Sequence, residues 1–153
     1  MQRDKGKAGE RECARTLTAL TGRKVERLLG AERDGGCDLK GLPPQFAVEV
    51  KRHKVRAYPS WQRQAEENAT GDKAPVIFYR LDKQTTWYAR CRLSDILWDL
   101  GLERDAVPDE REAYGHRSVW ITMTMTDWVD VHGLKREPGH WSKTLLDESQ
   151  ENK

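Results

Sequence analysis

The 153-residue chain has few cysteines and no long apolar run. Its cysteines, Cys13, Cys37 and Cys91, are odd in number and far apart, and no C-x-x-C pair occurs, which argues against a disulfide framework or a zinc knuckle. We expect all three to be unpaired and structural. Apolar stretches such as PVIFY are too short to cross a bilayer, and the start, MQRDKGKAGERE, lacks the apolar core of a signal peptide. These absences predict a cytoplasmic protein (in the host cytoplasm if the chain is viral) with no membrane partner.

Net charge is small but unevenly distributed. The whole chain carries +2, yet residues 1–92 hold 20 Lys and Arg against 12 Asp and Glu, a net of +8. Residues 93–153 hold 7 against 13, a net of −6. A basic half indicates a polyanionic partner for that half. The alternative is a solvated surface whose charge is merely uneven.

The apolar patterns predict one domain over residues 1–146, followed by a polar flexible tail over 147–153. A charged loop at 103–116 interrupts the second half. The predicted order α-β-β-β-α-β-β-α-β-α indicates a mixed sheet with helices packed on it. The predicted helices cover 7–20, 60–70, a short segment from Ser94 and a last segment from Thr126 or Asp127. The predicted strands cover 24–29, 37–41, 45–52, 75–80, 85–91 and 118–126.

One strand, FAVEVK, places charged residues on a single surface. Side chains alternate faces along a strand, so Phe46, Val48 and Val50 should face the core. Glu49 and Lys51 then lie together on the opposite face. This spacing is found in many surface ion pairs, so by itself it does not identify a site.

A turn at Pro43-Pro44 precedes this strand and follows the segment CDLKG. Symmetric antiparallel pairing about the turn would place Asp38 opposite Glu49, with Cβ atoms about 4.5–5.5 Å apart. Two carboxylates this close repel each other unless a cation lies between them. Mg²⁺ suits such a place, because it binds through one or two carboxylates and leaves positions for water and a substrate phosphate.

The first helix supplies a third acid. At about 100° per residue, Glu10 lies on the same helical face as Ala14 and Leu17, whereas Glu12 points into solvent. Burying an unpaired charge is costly, so Glu10 needs a partner. Asp38 and Glu49 of the predicted hairpin, or a metal bound to them, would supply it. The alternative is that Glu10 only stabilises the helix N-terminus through the helix dipole.

The motifs KGKAGERE (5–12), Asp38 and EVK (49–51) together resemble the archaeal-type Holliday junction resolvases of the PD-(D/E)xK nuclease superfamily. The likeness covers a core motif region at 5–92, and the additional block at 93–146 has no counterpart in the smallest members. It implies an α/β, restriction-endonuclease-like fold, with a central mixed β-sheet flanked by α-helices. It also implies a Mg²⁺-dependent endodeoxyribonuclease, with Mn²⁺ as a substitute, acting as a homodimer on branched double-stranded DNA.

The resemblance assigns catalytic roles to particular positions. The family's acids fall on Glu10, Asp38 and Glu49, which would also hold the metal, and its lysine falls on Lys51. Val50 is a candidate backbone-carbonyl ligand because it lies between two of these residues.

Bacteriophage chains of this general kind carry W-x-x-Q after the ExK strand, as Trp61 and Gln64 do here. Gln64 would position the catalytic lysine or a phosphate, and its alternative is an ordinary surface glutamine. The segment LLGAERDGG departs from the family, because it is longer than the usual loop and lacks its serine. Basic residues of the first half, among them Arg27, which matches a family arginine, are candidate phosphate contacts: Lys5, Lys7, Arg11, Arg27, Arg33, Lys40, Arg52, Lys54, Arg56 and Arg63.

Three other functions stay open from the residues alone. A non-catalytic module that grips branched DNA would share the fold, and so would a restriction-type or nicking repair nuclease. A zinc or HNH-type nuclease is disfavoured, because His132 and His140 are eight residues apart with no second ligand pair nearby. Most of the six tryptophans should lie in the core, and any left exposed would mark a dimer face or a base-stacking platform.

Overall fold

The computed structural model describes residues 2–29, 36–101 and 118–136. Within them the order of elements is the predicted α-β-β-β-α-β-β-α-β-α. Arg33, His140, Trp141, the loop at 103–116 and the tail at 147–153 lie outside the described residues, so a single domain over 1–146 stays a prediction. The elements are α1 (Gln2–Thr21), β1 (Glu26–Arg27), β2 (Leu39–Lys40), β3 (Phe46–His53), α2 (Tyr58–Asn68), β4 (Ala74–Leu81), β5 (Tyr88–Arg92), α3 (Leu93–Asp99), β6 (Trp120–Thr124) and α4 (Met125–Val131).

A four-stranded mixed sheet, in the order β3-β4-β5-β6, forms the centre of the fold. β3 and β4 are parallel and are joined through α2, whereas β4–β5 and β5–β6 are antiparallel. The predicted class, an α/β fold with a mixed sheet flanked by helices, is confirmed. This architecture is compatible with a restriction-endonuclease-like fold.

Helix α1 begins earlier than predicted, at Gln2 rather than near residue 7. No proline interrupts these first residues, so the helix extends beyond its apolar stripe. Gly9 lets α1 approach the sheet closely, because a Cβ there would lie 3.0 Å from the Cβ of Arg52. The helix ends as predicted, at Thr21, and is followed by Gly22 in the left-handed region at φ +69°.

The predicted pairing of the second and third strands is wrong. β2 pairs with β1 instead, with Glu26 opposite Lys40 and Arg27 opposite Leu39. The connection after β2 passes through Gly41 at φ +99°, where a Cβ would lie only 2.1 Å from the carbonyl oxygen of Lys24. The chain therefore folds back onto β1, and this β1–β2 hairpin lies beside the edge of β3.

Two hydrophobic clusters lie on opposite faces of the sheet. The larger joins Leu17 of α1 and Trp128 of α4 to the sheet. The smaller forms where Trp61 and Ala65 of α2 cover β4.

None of the three cysteines forms a disulfide, and burial raises the pKa of the Cys13 and Cys91 thiols, which keeps them protonated.

Three of the five tryptophans in the described segments are core residues, as predicted: Trp61, Trp87 and Trp128. Trp120 is half-buried, and Trp98 is 74% exposed.

No helix in the described segments is long and apolar enough to cross a membrane.

Candidate active site

Strand β3 separates its side chains as the alternation predicts. Phe46, Val48 and Val50 belong to the larger hydrophobic cluster, while Glu49 and Lys51 lie on the face covered by α2. The Glu49 side chain is 6% exposed and the Lys51 side chain 12%. The Lys51 Nζ donates a hydrogen bond to Glu49 Oε1 at 2.6 Å. The pair is therefore largely buried and is not the surface ion pair that such spacing often produces.

Helix α2 holds both charged groups through two amide side chains. The Lys51 Nζ donates to Gln64 Oε1 at 2.7 Å, and the Asn68 Nδ2 donates to Glu49 Oε2 at 3.1 Å. The two amides are four residues apart and share a helix face. The buried Trp61 and Ala65 anchor this helix on the sheet. The contact predicted between Gln64 and Lys51 is thus present, and α2 fixes the positions of both the ammonium and the carboxylate.

Sequence reasoning missed Asn68. The available signal was the four-residue spacing from Gln64 on a helix that follows the ExK strand. Gly36 makes room for this residue, since a Cβ at position 36 would lie 2.5 Å from the Asn68 Cγ. The glycine also adopts φ +76°, in the left-handed region. The turn before β2 and the end of α2 are therefore in direct contact.

Asp38 lies against the free edge of β3, although the predicted β2–β3 ladder is not formed. Its backbone N–H donates to the Val48 carbonyl at 2.8 Å, and its Oδ2 accepts from the Val50 N–H, also at 2.8 Å. Its carbonyl accepts from the Leu28 N–H at 2.9 Å, which ties it to the β1 side. Asp38 thus spans the backbone on either side of Glu49.

The carbonyl of Val50 points toward the same edge. In a strand the N–H and C=O of one residue point to the same side, and successive residues alternate. The odd-numbered positions on and beside β3 face β4. The Gln45 carbonyl accepts from the Ala74 N–H at 2.7 Å, and the His53 carbonyl accepts from the Asp82 N–H at 2.9 Å. Val50, an even-numbered position, therefore directs its N–H and C=O away from β4 and toward Asp38.

Glu10 is buried, as its helical phase predicts, but its ion pair is with Arg27 of β1. Among the residues that the structure describes, no group of three or more His, Cys, Asp or Glu side chains is arranged to hold a metal ion. The three predicted acids therefore do not form such a group within these segments. A metal-binding role for Glu10 stays a prediction.

Asp38, Glu49 and the Val50 carbonyl do fit a Mg²⁺ ion in the chemistry of their donors. All are hard oxygen ligands, and Mg²⁺ needs only one or two carboxylates from the protein. Glu49 uses one acceptor position of each oxygen for Lys51 and Asn68. Because a carboxylate offers about four acceptor positions, two remain for a metal.

The prediction that Glu12 points into solvent is wrong. Its carboxylate accepts from Arg80 Nη2 at 2.7 Å and from Arg52 Nη1 at 3.4 Å, and its side chain is only 30% exposed. A helical wheel gives the direction of Glu12 relative to α1 alone. It cannot show that α1 lies across β3 and β4, from which the two arginines reach back to the helix.

Three of the candidate phosphate contacts are already bound to acids. Lys5, Arg27 and Arg52 form ion pairs with Asp82, Glu10 and Glu12 respectively. The other described candidates are exposed, so burial does not prevent them from reaching a polyanion: Lys7, Arg11, Lys40, Lys54, Arg56 and Arg63.

His53 is the last residue of β3 and lies close to two lysines. Burial lowers its pKa, and the charges of Lys51 and Lys5 lower it further, against an opposing effect of Asp82.

Family models, curated proteins and solved structures give no match to this chain. The likeness to junction resolvases therefore rests on its own residues: KGKAGERE, Asp38, EVK and the W-x-x-Q segment.

Proposed function

We propose that this protein is a Mg²⁺-dependent, structure-specific DNA endonuclease that resolves four-way junctions by paired symmetric nicks. Two hydrogen bonds at β3 carry the proposal: Lys51 binds the Glu49 carboxylate, and the N–H of the intervening Val50 binds the Asp38 carboxylate. In this proposal branched duplex DNA is the substrate, and the enzyme is a homodimer, because two symmetric cuts need two sites related by a two-fold axis.

The roles follow from the hydrogen bonds. Asp38, Glu49 and the Val50 carbonyl would hold Mg²⁺, which when bound supplies an activated water and neutralises phosphate charge. The Lys51 ammonium has three donors, of which Glu49 and Gln64 take two. The third is directed to the attacking water or to a phosphate oxygen, where it offsets developing negative charge. Gln64 and Asn68 are positioning residues.

The test is to compare cleavage of a labelled four-way junction, a flap and a linear duplex, each in Mg²⁺ and in EDTA. We expect paired nicks near the branch of the junction, in Mg²⁺ only. Preferred cutting of the linear duplex would instead indicate a restriction-type enzyme, and single nicks a repair nuclease. Junction binding with no cut on any substrate would mean a non-catalytic module and would overturn the proposal.

Replacing Asn68 by alanine should reduce cleavage by about tenfold to a hundredfold, the usual range for a residue that orients a metal ligand. The reason is that Glu49 loses its donor from α2. The Mg²⁺ concentration needed for half-maximal cleavage should rise as well, which a purely structural role would not cause. Glu67→Ala, an exposed change on the same helix, is the control. An unchanged Mg²⁺ dependence in Asn68→Ala would contradict the positioning role.

A further inference from the structure

An open groove of about 590 Å³ lies between α1 and the β1–β2 hairpin. Arg11 and Arg15 line it from the helix, and Lys40 lines it from the hairpin. Its floor includes Ala14 and Val25, each 5% exposed. The groove therefore combines a cationic wall with an apolar base.

The charges of the two arginines in this wall are available to a ligand. Arg11 and Arg15 are both exposed, and neither forms an ion pair with any residue in the described ranges. Arg27, which also lines the groove, is bound to Glu10. The acid in the lining, Glu26, pairs with Lys24 at 3.2 Å. The two α1 arginines therefore bring unpaired positive charge to the groove, whereas the charge of Arg27 is neutralised by Glu10.

The spacing of the two arginines fits an extended polyanion. Residues four apart on a helix have Cβ atoms about 5–6 Å apart and project from the same face. Two guanidinium groups in a row can therefore contact successive phosphates of one strand. The floor carries no charge, so it would contact the uncharged sugars that lie between successive phosphates.

The groove lining is close along the chain to two of the predicted acids. Asp38 immediately precedes β2, which contributes Lys40, and Glu10 immediately precedes Arg11. Arg15 extends the lining one helical turn further along α1. We propose that the groove binds the phosphate backbone of the DNA strand that leaves the cut position, and in naming DNA this rests on the proposed function.

The test uses the double variant Arg11→Ala/Arg15→Ala. Affinity for a four-way junction is measured by fluorescence anisotropy in EDTA over a series of salt concentrations. Each lost phosphate contact lowers the slope of log K against log salt by about 0.9, so we expect a decrease of about 1.8. The control, Arg23→Ala/Lys83→Asn, removes two exposed cations outside the groove that form no ion pair within the described ranges, and it should leave the slope unchanged. Thermal unfolding confirms that both variants are folded.

An equal slope change in the two double variants would overturn the proposal, because charge alone would then explain binding. So would an unchanged slope in Arg11→Ala/Arg15→Ala. Single-turnover cleavage at saturating enzyme separates this proposal from the nuclease assignment. If the wild-type chain does not cut but the slope falls only in the groove variant, the groove is a DNA-binding site and the endonuclease proposal fails. If the wild-type chain cuts and the slope is unchanged, only the groove proposal fails.

Discussion

Glu49→Gln should abolish cleavage of a four-way junction in Mg²⁺ while leaving junction binding in EDTA intact. The change keeps the side-chain volume but removes the charge that Lys51 and Asn68 hold in place. Losing a carboxylate ligand should slow the chemical step on the order of a thousandfold, equivalent to about 4 kcal/mol of transition-state stabilisation. The measurement is the single-turnover cleavage rate together with a gel shift without metal.

Asp38→Asn should have a comparable effect, for a related reason. Its amide oxygen can still accept the hydrogen bond from the Val50 N–H, so the hairpin should keep its place against β3. The negative charge at that edge is nevertheless lost. Glu67→Gln, an exposed neutralisation on α2, is the matched control and should cleave normally. Wild-type cleavage rates in both Asp38→Asn and Glu49→Gln would refute the site assignment.

Trp128→Ala should lower the free energy of unfolding by about 3–5 kcal/mol, the usual cost of deleting a large buried aromatic side chain. Trp128 is fully buried and packs edge-on against Phe46, at 4.9 Å between ring centroids, and against Phe78, at 5.0 Å. Since Phe46 begins β3, the residue connects α4 to the strand that carries the candidate site. Urea denaturation followed by circular dichroism measures the change.

Trp98→Ala is the matched control, because it deletes the same side chain at a position that is 74% exposed. A surface substitution of this kind should change stability by no more than about 0.5 kcal/mol. If the two variants lose similar stability, the packing described for α4 against the sheet is incorrect.

The sequence predicted the features that depend on local periodicity. Alternation along β3 correctly separated Val48 and Val50 from Glu49, because residues in one strand share a fixed geometry. Helical phase likewise placed Glu10 on a buried face. These inferences need only the conformation of a single element, and the order of elements follows from the same signals.

Features that depend on the meeting of distant segments were not predictable. A two-residue strand such as β2 has too few side chains to specify its partner, and it pairs with β1 rather than β3. The partners of Glu12 come from two strands 40 and 68 residues further along the chain. Asn68 contacts Glu49 because of how α2 lies on the sheet, an orientation that no local pattern encodes.

The close approach of Gly36 to Asn68 imposes a constraint on how this protein can diverge. A side chain at position 36 would need both a backbone at φ +76° and space that Asn68 already fills. Position 36 can therefore not accept a side chain unless position 68 changes as well. Over evolutionary time a larger residue at 36 would require a smaller one at 68, and the donor to Glu49 would disappear in the same step.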